Sequence, residues 1–193
     1  MSVADIPARL SALAAASWPG NSNTAATKPG VTLSELTGLT LLDLRGNPAT
    51  PEFITSVETA LGCALPLAPN TSERGPHCDI LWLGPGEWLL VGSQAKPISA
   101  ILPVERGFLT DVSHGRAALR LAGPRTRDLL AKGCGLDLHV RAFLPGHCAQ
   151  TALAHVGVLL HLTRAGDEFD LYFARSYAQH VWHWMTAAAA EFG

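Results

Sequence analysis

The sequence predicts an α+β fold, antiparallel or mixed sheets with helices packed on one side, and three observations carry that prediction. The stretch Thr110 to Lys132, TDVSHGRAALRLAGPRTRDLLAK, puts a strand end, a turn, a second strand and a helix into one short unit. Asp79-Ile80-Leu81-Trp82-Leu83 and Trp88-Leu89-Leu90-Val91 are unbroken apolar runs across Gly84-Pro85-Gly86-Glu87, a strong hairpin signal whose continuous apolarity means that both faces are covered. From Cys78 onward the elements read β-β-α-β-β-α-β-β-β-α, an order that lays helices over antiparallel sheets.

Taken in order, residues 1–30 read as an N-terminal helix followed by a flexible linker, and residues 31–193 as a single α+β domain. IPARLSALAAASW is amphipathic, with Asp5, Arg9 and Ser11 breaking any long apolar run, so no signal peptide is expected; PGNSNTAATKPG is too polar and too rich in Pro and Gly to order itself. Val31, Leu33 and Leu36, then Leu39, Leu41, Leu42 and Leu44, form two short strands across Thr37-Gly38. Thr50 caps a helix opened by Pro51-Glu52, carried by Phe53, Ile54, Val57, Ala60 and Leu61, and closed by Gly62. A loop follows from Pro66 to Pro76, then the hairpin, then a weak helix over Gln94 to Leu102. In the stretch from Thr110, alternation over Ala117, Leu119 and Leu121 gives a strand with one apolar face, and Pro124 sits in the first turn of a helix that Gly133 ends. Strands follow at Cys148 to Leu153, Val156 to Leu162 and Phe169 to Phe173, the last two joined by the turn Ala165-Gly166-Asp167. Ser176 caps the last helix, which runs to Glu191 with Tyr177, Val181, Trp184, Met185 and Ala188 on its buried stripe and Trp182 facing outward.

A chain of 193 residues buries roughly 70% of its unfolded surface and needs no covalent staple. With 48% hydrophobic and 16% charged residues, the composition points to a surface partly covered by another chain. A net charge of −2 without any Lys/Arg cluster excludes an electrostatic footprint for nucleic acid. No apolar run approaches the ~20 residues that span a bilayer, so no membrane segment is expected. Cys63, Cys78, Cys134 and Cys148 form no CxxC pair, which fits reduced thiols in a cytoplasmic setting.

No phosphate-binding loop, dinucleotide fingerprint or HExxH occurs. Asp111, Ser113 and His114 mimic a triad, but neighbours on an extended chain point to opposite faces, so they read as a polar turn. Cys134, His139, His147 and Cys148 are zinc-type ligands at irregular spacing. His155 and His161 share strand parity and His180 and His183 a helix face, arrangements that suit an interface better than a metal. No catalytic, cofactor-binding or metal residue is therefore assigned.

Four segments in order carry a family resemblance: LWLGPGEWLLVG (Leu81 to Gly92), TDVSHGRAALRLAGPRTRDLLAKGCGLDLH (Thr110 to His139), FLPGHCAQTALAHVGVLLH (Phe143 to His161) and FDLYFARSYAQHVWHW (Phe169 to Trp184). Together they resemble the gamma subunit of heterotetrameric sarcosine oxidase and, more distantly, the aminomethyltransferase folate-binding fold of the glycine-cleavage T-protein. The resemblance implies a non-catalytic assembly subunit of a complex that oxidises sarcosine to glycine with alpha, beta and delta partners. FAD, FMN, NAD and folate would lie in those partners and no cofactor in this chain. His114 and Arg116, where the chain turns between strands, and Trp182 on the last helix are the expected partner contacts. The alternatives are a folate-binding one-carbon-transfer domain and the equivalent subunit of an N-methyl amino acid dehydrogenase. Against the folate alternative, the position matching the T-protein's pteridine-holding Glu is Gly166, which offers the ring no side-chain acceptor; Asp167 or Glu168 would fill that place after a small shift of register.

Overall fold

The computed structural model describes residues 11–13, 30–93, 107–163 and 168–192. Along them run β1 (Thr32–Glu35), β2 (Leu39–Arg45), α1 (Pro51–Leu61), β3 (Ser72–Arg74), β4 (Cys78–Gly84), β5 (Glu87–Ser93), β6 (Phe108–Asp111), β7 (Arg116–Ala122), α2 (Thr126–Ala131), β8 (Cys148–Leu153), β9 (Val156–Leu162), β10 (Glu168–Ala174) and α3 (Ala178–Ala189). They form two five-stranded sheets, ordered β1-β7-β10-β9-β8 and β3-β4-β5-β2-β6, and every pairing within them is antiparallel. The N-terminal helix and linker, apart from residues 11–13 and Gly30, lie outside the described residues, as do the helix expected over Gln94 to Leu102 and the turn Ala165-Gly166-Asp167.

Strand parity sorts the apolar residues into three layers. In the first sheet, Leu119, Leu121, Phe169, Leu171 and Leu160 point outward and pack under Leu129 and Leu130 of α2 and Val181 and Met185 of α3. In the second, Leu42, Leu44, Ile80 and Leu90 point outward onto Phe53, Val57 and Leu61 of α1. The opposite faces meet between the sheets, where Leu41, Leu81, Leu89 and Val91 lie against Ala118, Leu159 and Tyr172. Each sheet thus carries helices on one side and the other sheet on its second side, which is why β4 and β5 read as unbroken apolar runs.

Two pairs of neighbouring strands are divided between the sheets. β1 and β2 flank Thr37-Gly38 as read, yet β1 pairs with β7 and β2 with β5. β6 lies beside β2, whereas β7 lies beside β10, so the unit from Thr110 to Lys132 bridges both sheets instead of lying within one. Periodicity reports which face of a strand is buried and is silent on its neighbour.

The ends of the helices differ in detail from the sequence reading. Thr50 stands at the N-cap position of α1 but makes no side-chain cap hydrogen bond, its carbonyl only accepting the first helical N–H groups, and Gly62 ends the helix in the left-handed region at φ 70°. α2 starts at Thr126, whose hydroxyl donates to the Gly123 carbonyl at 2.8 Å, so Pro124 precedes the helix. Arg175–Tyr177 form a 3-10 turn, so α3 starts past Ser176. Its buried stripe is Ala178, Val181, Trp182, Met185 and Thr186, centred to one side of the expected one. Tyr177 is half exposed, and Trp182 faces the core at 6% exposure, the reverse of its expected outward orientation. β3 lies within the stretch expected as a loop: Ser72, Glu73 and Arg74 carry no apolar signal and are strand only because they pair with Leu81, Ile80 and Asp79.

Because Trp182 is a core residue, Trp182→Ala is expected to cost about 3–5 kcal/mol by urea unfolding. A loss below about 1 kcal/mol, the range of surface substitutions, would return it to the surface.

Candidate functional site

The face between the sheets is apolar in its middle and polar at both ends, and those ends hold the candidate functional groups. At one end the chain crosses from β6 to β7 through Val112-Ser113-His114-Gly115. The buried Ser113 hydroxyl accepts from the Leu41 amide at 2.8 Å and donates to the Leu41 carbonyl at 3.3 Å, pinning the crossing to β2. The Ser113 amide donates to Asp111 Oδ1 at 2.8 Å. With its hydroxyl committed to a backbone residue of another strand, Ser113 is a structural peg, as the reading of a polar turn required.

His114 is exposed at this corner and Arg116 half-buried beside it. Arg116 and Arg175 line a cavity of about 220 Å³ whose apolar wall is Leu36, Leu39 and Leu41. The Arg175 amide donates to the Gly115 carbonyl at 2.9 Å, which places both guanidinium-bearing residues at one corner. Glu35, also in the wall, receives the Ser11 hydroxyl. The structure therefore brings His114 and Arg116 together, and separates Trp182 from them in the core under α3.

Four residues along β7 from Arg116, roughly 13 Å at about 3.3 Å per residue, the other end is built from side chains of five strands. Arg120 donates to both oxygens of Asp170, Nε to Oδ1 at 2.7 Å and Nη2 to Oδ2 at 2.8 Å, and also faces Glu168 at 3.4 Å. Arg74 approaches Asp79 at 3.5 Å. His161 is buried and its Nε2 lies 3.1 Å from the Ser72 hydroxyl. The single proton of that hydroxyl goes to the Gly146 carbonyl at 2.7 Å, so the imidazole must be the donor through Nε2–H. Burial pushes the His161 pKa below its ordinary value, against the attraction of Asp79 and Asp170 and with the help of Arg120 and Arg74. The ring is accordingly neutral, and Nδ1 carries a bare lone pair. Ser72 is no nucleophile in this arrangement, because its proton points away from the imidazole.

The remaining residues singled out in the sequence are scattered. His155 lies in the turn before β9 at φ 67°, so it has no strand parity with His161. His180 and His183 are both exposed on α3, and His180 Nε2 is 3.3 Å from the Ala154 carbonyl. Cys148 Sγ donates to the Thr71 carbonyl at 3.2 Å, while Cys134 Sγ meets the Thr151 hydroxyl at 3.7 Å and His147 stands edge-on to Phe143. Among the described residues no group of three or more His, Cys, Asp or Glu is placed to hold a metal. Burial pushes the thiols of Cys78 and Cys148 up to about 12. Sequence motifs do not mark Ser72, Arg120 or Asp170; the signal the sequence does carry for the last two is a charge within each of two apolar strands, β7 and β10.

Comparison with known proteins gives a consistent answer. The profile of the sarcosine oxidase, gamma subunit family matches residues 45–191. The chain is 33% identical over 168 residues to the sarcosine oxidase subunit gamma of Corynebacterium sp. (strain U-96), covering 84% of this chain and 80% of that one. It is 31% identical over 172 residues to the subunit gamma from Arthrobacter sp., covering 86% and 83%. It superposes on a chain of the heterotetrameric sarcosine oxidase from Corynebacterium sp. U-96 with a TM-score of 0.84 at 30% identity, over 95% of this chain and 96% of that one. The aminomethyltransferase T of the glycine cleavage system from Bartonella henselae shares the fold alone, at TM-score 0.60 and 15% identity over 82% of this chain and 46% of that one.

Two predictions concern the polar end. Asp170 is buried beside Arg120, so Arg120→Met strands a carboxylate; it is expected to cost about 2–4 kcal/mol by urea unfolding, below the fully buried limit because Arg120 is partly solvated. An Arg120→Met chain as stable as wild type would show that the pair contributes nothing net. For His161, the unfolded chain takes up a proton near pH 6.5 that the folded chain refuses, so stability falls as pH drops below 6.5. His161→Gln lacks that component, and its urea midpoint is expected to vary less with pH than that of wild type; equal slopes would contradict the buried neutral ring.

Proposed function

The chain belongs to the sarcosine oxidase gamma subunit family, and on that premise we propose that it is the gamma subunit of a flavin-dependent heterotetrameric sarcosine oxidase, acting by assembly and not by chemistry of its own. The complex converts sarcosine, O2 and water to glycine, formaldehyde and H2O2, or delivers methylene-tetrahydrofolate when folate is present. Its partners are the alpha, beta and delta subunits, which hold FAD, FMN, NAD and folate, and the assembly is cytoplasmic. No helix among the described residues is long and apolar enough to cross a membrane.

The observation that carries this reading is the superposition over nearly the full length of both chains, at TM-score 0.84. The chain's own chemistry points the same way. The Ser72 and Ser113 hydroxyls are committed to backbone carbonyls, and thiols held near 12 are not nucleophiles at neutral pH. Cavities of about 220 and 70 Å³ fall below the ~300 Å³ at which sites for drug-sized ligands and cofactors begin, so neither accommodates a flavin dinucleotide. We assign the exposed corner of His114 and Arg116, with its cavity, to the contact with a larger subunit; Trp182, being buried, acts only through the fold.

A tagged chain recovered from its native cytosol is expected to bring larger companions, flavin absorbance and sarcosine turnover; a colourless chain eluting alone would refute the subunit reading. Arg116→Glu is expected to lower recovery of the companions about tenfold or more, the worth of one charged contact. Full recovery with Arg116→Glu would remove the corner from the interface and leave the subunit reading standing.

A further inference from the structure

Strand β7 turns two arginines toward the space between the sheets, and the chain treats them differently. In the pairing of β7 with β10, Arg120 stands opposite Asp170 and Arg116 stands opposite Ala174. Arg120 accordingly holds both oxygens of Asp170, at 2.7 and 2.8 Å. Arg116 has no such carboxylate across from it, and among the described residues its guanidinium makes no hydrogen bond, ion pair or ring contact. The other two charged side chains of its cavity are engaged: Glu35 accepts the Ser11 hydroxyl, and Arg175 has an interaction of its own.

The surroundings of Arg116 are built and not merely open. Two crossings between the sheets meet at this end, β1 to β2 through Leu36-Thr37-Gly38 and β6 to β7 through Val112-Ser113-His114-Gly115. Backbone bonds of 2.9 Å fasten them, from the Leu36 amide to the Ala118 carbonyl and from the Val112 amide to the Leu41 carbonyl. The cavity of about 220 Å³ beside them is therefore formed before anything docks, which lowers the ordering cost of binding. Leu41 and Ala118 in its lining are buried, whereas Leu36 and Leu39 are only partly so and leave apolar surface toward it. A half-buried guanidinium beside apolar surface is partly shielded from water, and its planar fork of five N–H donors matches a carboxylate.

We propose that this cavity receives an acidic residue of a larger companion subunit, its carboxylate paired with Arg116 and an adjoining apolar side chain packed against Leu36 and Leu39. The inference rests on the subunit reading and names what the companion presents at that corner. Recognition comes from the unused donors of the fork and not from net charge, since Glu35 shares the lining. The volume lies below the ~300 Å³ at which sites for drug-sized ligands begin, and suits anchoring side chains.

The test uses the assembled complex purified through this chain. Arg116→Lys keeps the charge and supplies an amine, which a water-soluble carbodiimide condenses with a touching carboxylate to an amide, with loss of water. Peptide mass spectrometry is expected to find position 116 joined to an Asp or Glu of a larger subunit, and no such link with Arg116→Gln. A link to Glu35 of this chain, or no link, in a complex that stays assembled would overturn the proposal. Independently, Arg116→Gln is expected to release the companions about ten- to a hundredfold faster at low salt, the worth of a hydrogen bond to a charged group, and to flatten the rise of that rate with ionic strength. Release at the wild-type rate, or with the wild-type dependence on salt, equally overturns it. A wild-type chain that recovers no companion refutes the subunit reading itself, whereas an intact complex that fails these two measurements refutes only the carboxylate.

Discussion

The packed contact between the two sheets is the constraint on which the rest of this chain depends. Each strand of the central hairpin is covered on both sides: Leu89 is fully buried toward the first sheet while its neighbour Leu90 is fully buried toward α1. Without the first sheet, the second would expose Leu41, Leu81, Leu89 and Val91 as one apolar surface, each side chain worth about 1.5–3 kcal/mol of transfer free energy. Along β7 the inward positions run from Arg116 through Ala118 to Arg120, so the apolar contact ends in a polar side chain on either side, and the arginine corner and the polar cluster around Arg120 lie at opposite ends of one face.

How much of this was legible depends on whether the information is local. The expected bounds of β8, β9 and β10 agree with the structure to within a residue at each end, since continuous apolar runs mark β9 and β10 even without clean alternation. β3 was invisible, since Ser72-Glu73-Arg74 becomes a strand only through its pairing with β4. The division of β1 from β2, and of β6 from β7, between sheets was also beyond reach, because the chain can change layer within four residues without altering the period of its apolar positions. Trp182 shows how small an error inverts a side chain. The stripe of α3 keeps Val181 and Met185 as expected, with Trp184 and Ala188 partly packed, but its buried centre lies toward Trp182 and Thr186.

The candidate site divides along the same line. His114 and Arg116 could be singled out because they sit in one turn, and the structure keeps them together at one corner. The polar end could not be read in this way, because Ser72, Asp79, Arg120, His161 and Asp170 come from β3, β4, β7, β9 and β10 and meet only once both sheets have formed. Their parity was nonetheless encoded. Arg120 and Asp170 interrupt apolar strands at positions that face each other in the final register. A charge within a strand whose outer face is apolar is best read as facing a second layer, and here that layer is the other sheet.

The likeness to aminomethyltransferase T, at TM-score 0.60 and 15% identity, is one of fold alone. In this chain the helices require the outward apolar parity of each strand, whereas the two ends of the inter-sheet face hold polar side chains. In this chain one end presents guanidinium groups beside an exposed turn, an arrangement that can meet a larger acidic surface without disturbing the sheets. The other end gathers carboxylates around a neutral imidazole inside the molecule, where only something small can reach. The geometry therefore separates by about four residues of β7 an exposed arginine corner from a buried polar cluster, and both depend on the same inward parity of that strand.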